Sequence, residues 1–241
     1  MSSADLNLLT VRDLKNISGI AKVSTTGKRK KDIVDLLNKK FELDHKNKYK
    51  KIKSLGVKGK DGNVFEVENQ GKKYALKQFR KNKPIEMLKK EAEMLKICSK
   101  HGISPAIFEV DVASRFIVMD LLGSSLFDTL NSTKGIMSLY QQEEFVLLIL
   151  KLDKIGIYHG DPSPLNFLFD KDRLKVIDFG FSERIDKKFI DKHNTSTPNQ
   201  KFMLLGFILK MKSLGVDVDS NYSYIKRHIS TEDLRRCGIK S

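Results

Sequence analysis

Two short stretches of the chain carry polar side chains whose types and spacing fit phosphoryl transfer. Residues 159–168 read HGDPSPLNFL and residues 174–182 read LKVIDFGFS. Asp161 and Asp178 are 17 residues apart, which leaves room for a loop, a short hairpin and a strand. Asp161 could accept the proton of a substrate hydroxyl, and Asn166 and Asp178 offer the hard oxygen ligands that Mg²⁺ prefers. We therefore predict that the three side chains converge on one nucleotide triphosphate.

Lys77 is the candidate for contact with the phosphates of that nucleotide. It ends the run YALK in a predicted strand, where a lysine beside a glycine-rich hairpin can pair with α- and β-phosphates. A carboxylate of the next helix should orient its charge, and the run EAEML offers both Glu91 and Glu93. The spacing favours Glu91, because Leu95 one turn later would anchor the same helix face in the core. The open alternative is that both glutamates are solvated helix charges.

The segment before this strand contains a candidate phosphate-binding loop. Gly59, Gly62 and Val64 fit the last three fixed positions of the pattern GxGxxGxV, whereas Gly56 falls one place early. Glycines let a hairpin backbone close over phosphates without a Cβ clash. The predicted cofactors are ATP with Mg²⁺ or Mn²⁺. An ordinary hairpin turn would explain the same glycines.

The composition indicates a globular protein of a reducing compartment. The chain has 241 residues, of which 40% are hydrophobic, and such a chain can bury a sizeable core. No apolar run approaches the ~20 residues that span a bilayer, and the first residues lack the order of a secretory signal. Two cysteines imply no disulfide framework. We expect an intracellular protein, cytoplasmic or nuclear, with no membrane partner.

The positive charge is concentrated at the start of the chain. The formal net charge is +15, and residues 1–60 hold 16 Lys and Arg against 6 Asp and Glu. A local field of this sign attracts polyanions, such as nucleic acid or acidic protein tails. Lysines that only solubilise a surface are the alternative.

Residues 5–41 have the pattern of a small helical module. Thr10 and Asp13 resemble a capping box with Asp in place of the usual Glu. A first helix follows, then a basic turn and a second helix. The apolar residues at helical spacing are Val11, Leu14 and Ile17 in the first helix and Ile33, Val34, Leu37 and Phe41 in the second.

The pattern changes from about residue 52 and predicts an α+β fold. Period-two alternation predicts strands around a hairpin at residues 69–71, and a helix follows Pro84. Two short strands are expected near residues 106–111 and 115–119, and the chain after Gly123 is mostly helical. We predict three parts: a helical module over 1–45, an N-terminal lobe over 46–122 and a C-terminal lobe over 123–241.

Residues ~52–182 resemble a protein kinase domain. The run RFIVMDLLGSSLFDTL of residues 115–130 resembles the hinge of casein kinase 1-like and vaccinia-related kinases. That resemblance implies that backbone groups near Asp120 and Leu122 contact adenine. The HGD run of residues 159–161 is similar to the small atypical kinase of the KEOPS tRNA-modification complex and to aminoglycoside phosphotransferases. The resemblance implies a two-lobed fold and a Ser/Thr kinase that uses ATP and magnesium on protein substrates.

Several departures from the kinase pattern bear on regulation and rate. Gly160 replaces the arginine that usually reads activation-loop phosphorylation, and Ser163 replaces the lysine that often touches the γ-phosphate. No APE run follows, and the helix around residues 202–211 lacks the usual aspartate at its start. Only 61 residues follow Gly180, so the C-terminal lobe is predicted to be abbreviated.

Residues 9–37 resemble a SAP motif or the related Rho-N helical motif, which usually bind DNA or RNA. The resemblance implies a phosphate contact at the turn between the two helices, through backbone amides, a helix N-terminus and cations. A small docking bundle with a solvated basic turn is the alternative. The predicted contact residues are Thr26, Gly27, Lys28, Arg29, Lys30 and Lys31.

Three functions compete on this sequence. The leading interpretation is a Ser/Thr protein kinase recruited to nucleic acid by its first 45 residues. The second is a small-molecule phosphotransferase, which shares the HGD run but usually not DFG. The third is a nucleic-acid-binding adaptor in which the kinase fold serves only as a nucleotide switch. A small DNA-associated kinase with an economical C-terminal lobe would also suit a large DNA virus.

Overall fold

The computed structural model describes Leu6, residues 9–56 and residues 61–240, without the side chains of residues 41–47. Gly59 of the predicted phosphate loop and the side chain of Phe41 therefore lie outside the described residues. The chain divides into two compact units, Met1–Lys53 with Glu66–Lys73 and Ser54–Phe65 with Tyr74–Ser241. The predicted boundaries at residues 45 and 122 stay predictions.

The first unit contains two helices, α1 (Val11–Ile20) and α2 (Lys30–Lys48). The predicted capping box at Thr10 is confirmed: its hydroxyl accepts from the Asp13 N–H at 3.2 Å, and the Asp13 carboxylate accepts from the Thr10 N–H at 3.1 Å. Both contacts satisfy donors that a helix N-terminus leaves unpaired. The helices share a small core of Leu6, Leu14, Ile33, Val34 and Leu37.

Val11, one of the apolar residues at helical spacing, lies outside this core. Its side chain is 41% exposed, whereas Ser18 is buried and donates its hydroxyl to the Leu14 carbonyl at 2.7 Å. A serine can occupy the inner face of a helix when it bonds the carbonyl one turn back. Helical spacing alone therefore does not decide which residues of α1 are buried.

A five-stranded sheet has the order β1-β2-β3-β5-β4. Its strands are β1 (Lys50–Leu55), β2 (Gly62–Asn69), β3 (Lys72–Phe79), β4 (Ile107–Asp111) and β5 (Phe116–Asp120). The predicted hairpin joins β2 to β3 through Gln70 and Gly71, which both have positive φ. Such a two-residue turn matches the twist of the strands that it connects. The pairing of β3 with β5 is antiparallel and sets Lys77 opposite Ile117.

Helix α3 (Ile85–Lys100) follows Pro84, as predicted, and α4 (Leu126–Ser132) and α5 (Leu139–Lys154) come after the sheet. Serines cap both later helices: Ser125 accepts from the Asp128 N–H and Ser138 from the Gln141 N–H. Two small two-stranded sheets then support the candidate site. They consist of β6 (Ile157–Tyr158) paired with β9 (Glu183–Arg184), and of β7 (Phe167–Asp170) paired with β8 (Arg173–Val176).

The end of the chain is helical. A π-helical turn over Asn199–Met203 leads into α7 (Leu204–Ser213), and α6 (Lys187–His193) precedes it. The short helices α8 (Ser223–Lys226) and α9 (Thr231–Arg236) follow. The Phe145 ring lies 4.8 Å from Phe167 and 4.5 Å from Phe207 between ring centres, so α5, β7 and α7 share one core. Helices and a mostly antiparallel sheet confirm the predicted α+β class.

Candidate active site

Lys77 joins two carboxylates from different parts of the second unit. Its Nζ lies 2.6 Å from Glu91 Oε1 on α3 and 3.0 Å from Asp178 Oδ1, which follows β8. The strand points Lys77 inward, and its side chain is only 10% exposed. Glu93, the competing glutamate, instead pairs with Arg184 at 3.1 Å on the surface. The structure therefore brings Lys77, Glu91 and Asp178 together over 101 residues of sequence.

Lys77 carries the positive charge of this site, and Glu91 and Asp178 are the two carboxylates beside it. Burial shifts the pKa of each group. Burial opposes the charge of Lys77, but Glu91 and Asp178 more than offset this and raise its pKa. Burial likewise opposes the charge of Asp178, yet nearby Lys77 holds the pKa of that carboxyl below its ordinary value. Burial raises the pKa of Glu91 to about 7, because this carboxyl is the most enclosed and also faces the charge of Asp178. Glu91 is thus the group of the three most ready to take a proton.

Asp178 has a backbone conformation that few non-glycine residues adopt. Its φ is +62°, in the left-handed region, and a 3₁₀ turn over Phe179–Phe181 follows at once. Strain of this kind persists only where the surroundings fix the chain, and it is common at functional sites. Phe179 is fully buried with its ring centre 5.0 Å from that of His159, so packing holds the turn in place.

His159 ties the loop that carries Asp161 to the strand end that carries Asp178. Its Nδ1 accepts from the Asp161 N–H at 3.3 Å, and its Nε2 lies 3.0 Å from the Ile177 carbonyl. Burial lowers the pKa of His159, so the ring is neutral. A neutral ring satisfies both neighbours when Nε2 carries the proton and donates it to Ile177. His159 was not among the predicted site residues.

Asp161 and Asn166 lie at the two ends of the same loop. The Ser163 N–H donates to Asp161 Oδ1 at 3.0 Å, which fixes the carboxylate. Pro164–Asn166 form a 3₁₀ turn, and the Asn166 carbonyl accepts from the Ile177 N–H at 2.9 Å. Asn166 is thereby held beside the residue that precedes Asp178.

Gly160 has a steric reason to be glycine. Its φ is +83°, and a Cβ there would lie 3.0 Å from the carbonyl oxygen of Phe181. An arginine would therefore be strained in this backbone, whatever its side chain contacted. The backbone conformation at position 160 therefore excludes the arginine that protein kinases usually have there.

Asn199 supplies an acceptor that the sequence analysis missed. It is completely buried, its Oδ1 accepts from the His159 N–H at 2.9 Å, and its Nδ2 donates to the Ile157 carbonyl at 2.7 Å. Asp153 of α5 accepts from the backbone N–H groups of Asn199 and Gln200, at 2.9 and 2.8 Å. The aspartate expected at the start of the helix around residues 202–211 is absent. Asn199 and Asp153 instead hold the start of the loop that carries Asp161.

The predicted phosphate loop is only partly described. Gly56 has a φ of +66°, and no atom lies within 4 Å of where its Cβ would be. At Gly62 a Cβ would lie 2.4 Å from the Gln78 carbonyl oxygen, so close strand packing already requires this glycine. Val64 is partly buried and packs against the core of the second unit. Strand packing therefore requires a glycine at position 62, and its contact with a phosphate stays a prediction.

The predicted adenine segment begins where β5 ends. The Asp120 N–H donates to the Ala106 carbonyl at 3.0 Å, and its carboxylate accepts from the Ala106 N–H at 3.1 Å. These two groups of Asp120 tie the end of β5 to the residue that precedes β4. Leu122 is half-buried two residues later. Contact with adenine through Leu122 and the Asp120 carbonyl stays a prediction.

The basic turn, defined as residues 26–31, is exposed along its whole length. Its amides are less available than the sequence suggested: the Lys28 N–H donates to the Thr25 carbonyl at 3.2 Å, and the Arg29 N–H donates to Asp32 at 3.2 Å. Arg29 Nε also lies 3.3 Å from that carboxylate. The amides of Lys28 and Arg29 are thus already bonded within the chain, and contact of this turn with a phosphate stays a prediction.

Asn166 and Asp178 are the residues that could hold a divalent cation. Within the described part of the chain, no group of three His, Cys, Asp or Glu side chains could hold a metal ion. Asn166 is buried, and its Nδ2 has no hydrogen-bond partner there, so this donor is left for an acceptor such as a phosphate oxygen, and the amide oxygen is the atom that could bind a cation. The Asp178 side chain is 48% exposed beside it in the chain fold. An oxygen-only pair of this kind fits Mg²⁺ bound mainly through phosphates and water.

Comparison with known proteins agrees with the predicted resemblance of residues ~52–182 to a protein kinase domain. A family model described as the protein kinase domain matches residues 49–203, which is more than half of the chain. None of the helices that the structure describes could cross a membrane, since each is too short or too polar.

Three curated relatives show how far the similarity extends. The probable serine/threonine-protein kinase BUD32 homolog of Archaeoglobus fulgidus is 26% identical over 125 residues, covering 51% of this chain and 60% of the relative. The serine/threonine-protein kinase MPS1 of Saccharomyces cerevisiae is 27% identical over 168 residues, covering 64% and 22%. A probable bifunctional tRNA threonylcarbamoyladenosine biosynthesis protein of Methanocaldococcus jannaschii is 32% identical over 123 residues, covering 47% and 22%. The chain thus spans less than two thirds of each relative.

A solved structure described as a kinase domain supports the fold. It superposes with a TM-score of 0.50 at 19% identity, and the match covers 57% of this chain and 52% of the other. At this identity the match shows the fold alone, and that fold is the one predicted from residues ~52–182.

Proposed function

Because the chain belongs to the protein kinase domain family, we propose that it transfers the γ-phosphate of ATP to serine and threonine hydroxyls of proteins. The observation that carries this proposal is the contact of Lys77 with both Glu91 and Asp178. Such an arrangement places an oriented cation and a carboxylate where the phosphates of a nucleotide would lie. The names of the archaeal BUD32 homolog and of yeast MPS1 support the serine and threonine specificity.

Each residue has a separate role in this proposal. Glu91 orients Lys77, which binds the α- and β-phosphates. Asp161 accepts the proton of the substrate hydroxyl, whose oxygen then forms a bond to the γ-phosphorus while the bond from that phosphorus to the bridging oxygen breaks. ADP leaves with the charge of the broken bond, and the acceptor keeps the phosphate.

Asn166 and Asp178 would hold Mg²⁺ or Mn²⁺ in this reaction. When bound, the cation neutralises negative charge on the phosphates. Lys77 already contacts one oxygen of Asp178, so the second oxygen is the one that remains for a cation. We expect transfer to stop when EDTA is added and to return when Mg²⁺ or Mn²⁺ is supplied in excess.

The decisive experiment measures transfer from γ-labelled ATP to generic protein acceptors, with the variant Asp161→Asn beside the unaltered chain. We expect the variant to lose about two to four orders of magnitude in rate with little change in ATP affinity, since its role is proton transfer. The matched control is Asp170→Asn, an exposed aspartate at the tip of the β7–β8 hairpin. Mass spectrometry of the acceptor then identifies the modified residues.

The two competing functions predict other outcomes of the same assay. A small-molecule phosphotransferase would consume ATP only when a metabolite is added. A nucleotide-switch adaptor would bind ATP and transfer phosphate to no acceptor with either metal. Either result would exclude the protein kinase proposal.

A second proposal concerns the basic turn, which we infer to bind phosphates of DNA or RNA. Its cations are exposed and belong to the most positive part of the chain. Because the amides of Lys28 and Arg29 already bond within the chain, side-chain cations would make the main contact. The relative named for tRNA threonylcarbamoyladenosine biosynthesis makes tRNA one nucleic acid worth testing.

Binding to tRNA and to duplex DNA should be measured over a range of salt for Lys28→Gln with Lys31→Gln. We expect weaker binding to all sequences and a salt dependence reduced by about one per lysine. The control replaces Lys96 and Lys100, two exposed lysines of α3, by Gln. Equal salt dependence for both double variants would remove the basic turn as the contact.

A further inference from the structure

A cavity of about 430 Å³ opens directly beside the candidate base Asp161. One wall is the loop from Asp161 to Ser163, and the other is α7. The lining residues from that helix are Gly206, Leu209, Lys210 and Ser213. An acceptor that reaches Asp161 through this cavity lies next to α7.

The close approach of loop and helix depends on a missing side chain. A Cβ on Gly206 would lie 2.8 Å from Cγ of Pro162. Only glycine therefore lets the loop and α7 approach this closely. No residue between 181 and 203 is among the described residues that line the cavity. That segment packs elsewhere, with the rings of Phe189 and Phe202 at 5.4 and 6.3 Å from Tyr158. The cavity is thus left uncovered next to α7.

Lys210 is a cation in the lining of this cavity. It is exposed, and no carboxylate in the described part of the chain pairs with it. The hydroxyl of Ser213 donates to the Lys210 carbonyl at 2.7 Å, so this serine is already engaged with the helix. Leu209, 38% exposed, and Pro162 add an apolar floor. Among the described residues of the lining, the other charged group is Asp161 itself.

We propose that this cavity binds an aspartate or glutamate of the protein acceptor, at a position that flanks the phosphorylated serine or threonine. The inference rests on the proposed kinase function and assigns its substrate class. Lys210 attracts the carboxylate, whereas Asp161 repels it. The acidic residue therefore lies toward α7, on the far side of the cavity from the base. The apolar floor accommodates its methylene groups.

The test uses the full chain and peptides with one serine and with glutamate, glutamine or lysine placed in turn at each flanking position. We expect glutamate at one position to raise kcat/KM about fivefold over glutamine, the size of one partly exposed ion pair. Lys210→Glu should abolish that preference and favour lysine at the same position. Lys210→Ala should abolish it without reversing it. Lys151→Glu, which alters an exposed lysine at the end of α5, should keep the original preference.

The outcomes separate this inference from the kinase proposal. Phosphorylation of all peptides without an acidic preference, or a preference that survives Lys210→Glu, overturns the acidic subsite and leaves the kinase function standing. Failure to phosphorylate any peptide or protein overturns the kinase function, and the subsite with it. Thermal unfolding of the three lysine variants at unchanged temperature verifies that rate differences come from charge and not from folding.

Discussion

Asn199 accepts a hydrogen bond from the backbone of His159 at 2.9 Å, although 40 residues separate them in the chain. Its amide nitrogen donates to Asp153 Oδ1 at 2.8 Å, which fixes the orientation of the amide. Burial raises the pKa of Asp153, so this carboxylate depends on the bonds that Asn199 and Gln200 donate to it. Asp153 and Asn199 together therefore hold the start of the loop that carries Asp161.

Replacement of Asn199 by Asp should test that relationship. A second buried carboxylate beside Asp153 would repel it, and we expect the free energy of unfolding to fall by about 2 to 4 kcal/mol at neutral pH. The double variant Asp153→Asn with Asn199→Asp exchanges the two groups and should recover a large part of the loss. Urea unfolding measures the free energy of unfolding of the single and of the double variant. An Asn199→Asp variant as stable as the unaltered chain would contradict the role given to Asp153.

Replacement of Lys77 by Met should remove phosphate transfer while the chain still folds. Two carboxylates would then face each other without their shared cation, and Glu91 would take a proton more readily. Loss of one preorganised charge at a reacting phosphate lowers rates by about two to three orders of magnitude. Lys72→Met, an exposed lysine on the same strand, is the control and should retain full activity.

Local parts of the fold and site could be predicted from the sequence because their signals lie within a few residues. The turn at Gln70 and Gly71, the capping box at Thr10 and the choice of Glu91 over Glu93 all depend on spacing along one or two elements. Turn chemistry and helix periodicity act at that range.

The remaining features depend on contacts that spacing cannot express. Asn199 faces His159 only because α5 and the π-helical turn pack together, and Gly62 is required by the Gln78 carbonyl of the neighbouring strand. Asp32 accepts from the Arg29 N–H, an amide that was expected to be open to a phosphate. In each case a tertiary neighbour decides which role a polar or small residue can have.

Replacement of Gly206 by Ala should disturb the base loop through a single added carbon. The new Cβ would lie 2.8 Å from Pro162, so either the loop or α7 must move. We expect a loss of stability of about 1 to 3 kcal/mol together with a lower kcat, since Asp161 precedes Pro162 in the chain. Gly19→Ala is the matched control, because no atom lies within 4 Å of its Cβ position and alanine favours a helix. Equal activity for both variants would show that the loop tolerates the displacement.

Replacement of Glu91 by Gln should change how stability depends on pH. The unfolded chain releases the proton of Glu91 near pH 4.5, whereas burial holds its folded pKa at about 7. Between these values the folded state binds more protons, so the stabilisation is complete below pH 4.5 and is lost as the pH rises through 7. The unaltered chain should lose up to about 3 kcal/mol relative to Glu91→Gln over this range. Glu93→Gln, on the exposed face of the same helix, should show no such difference. The free energies of unfolding of the unaltered chain and of Glu91→Gln are measured with urea at pH 5 and pH 8. An equal difference between the two chains at both pH values would mean that Glu91 is ionised throughout.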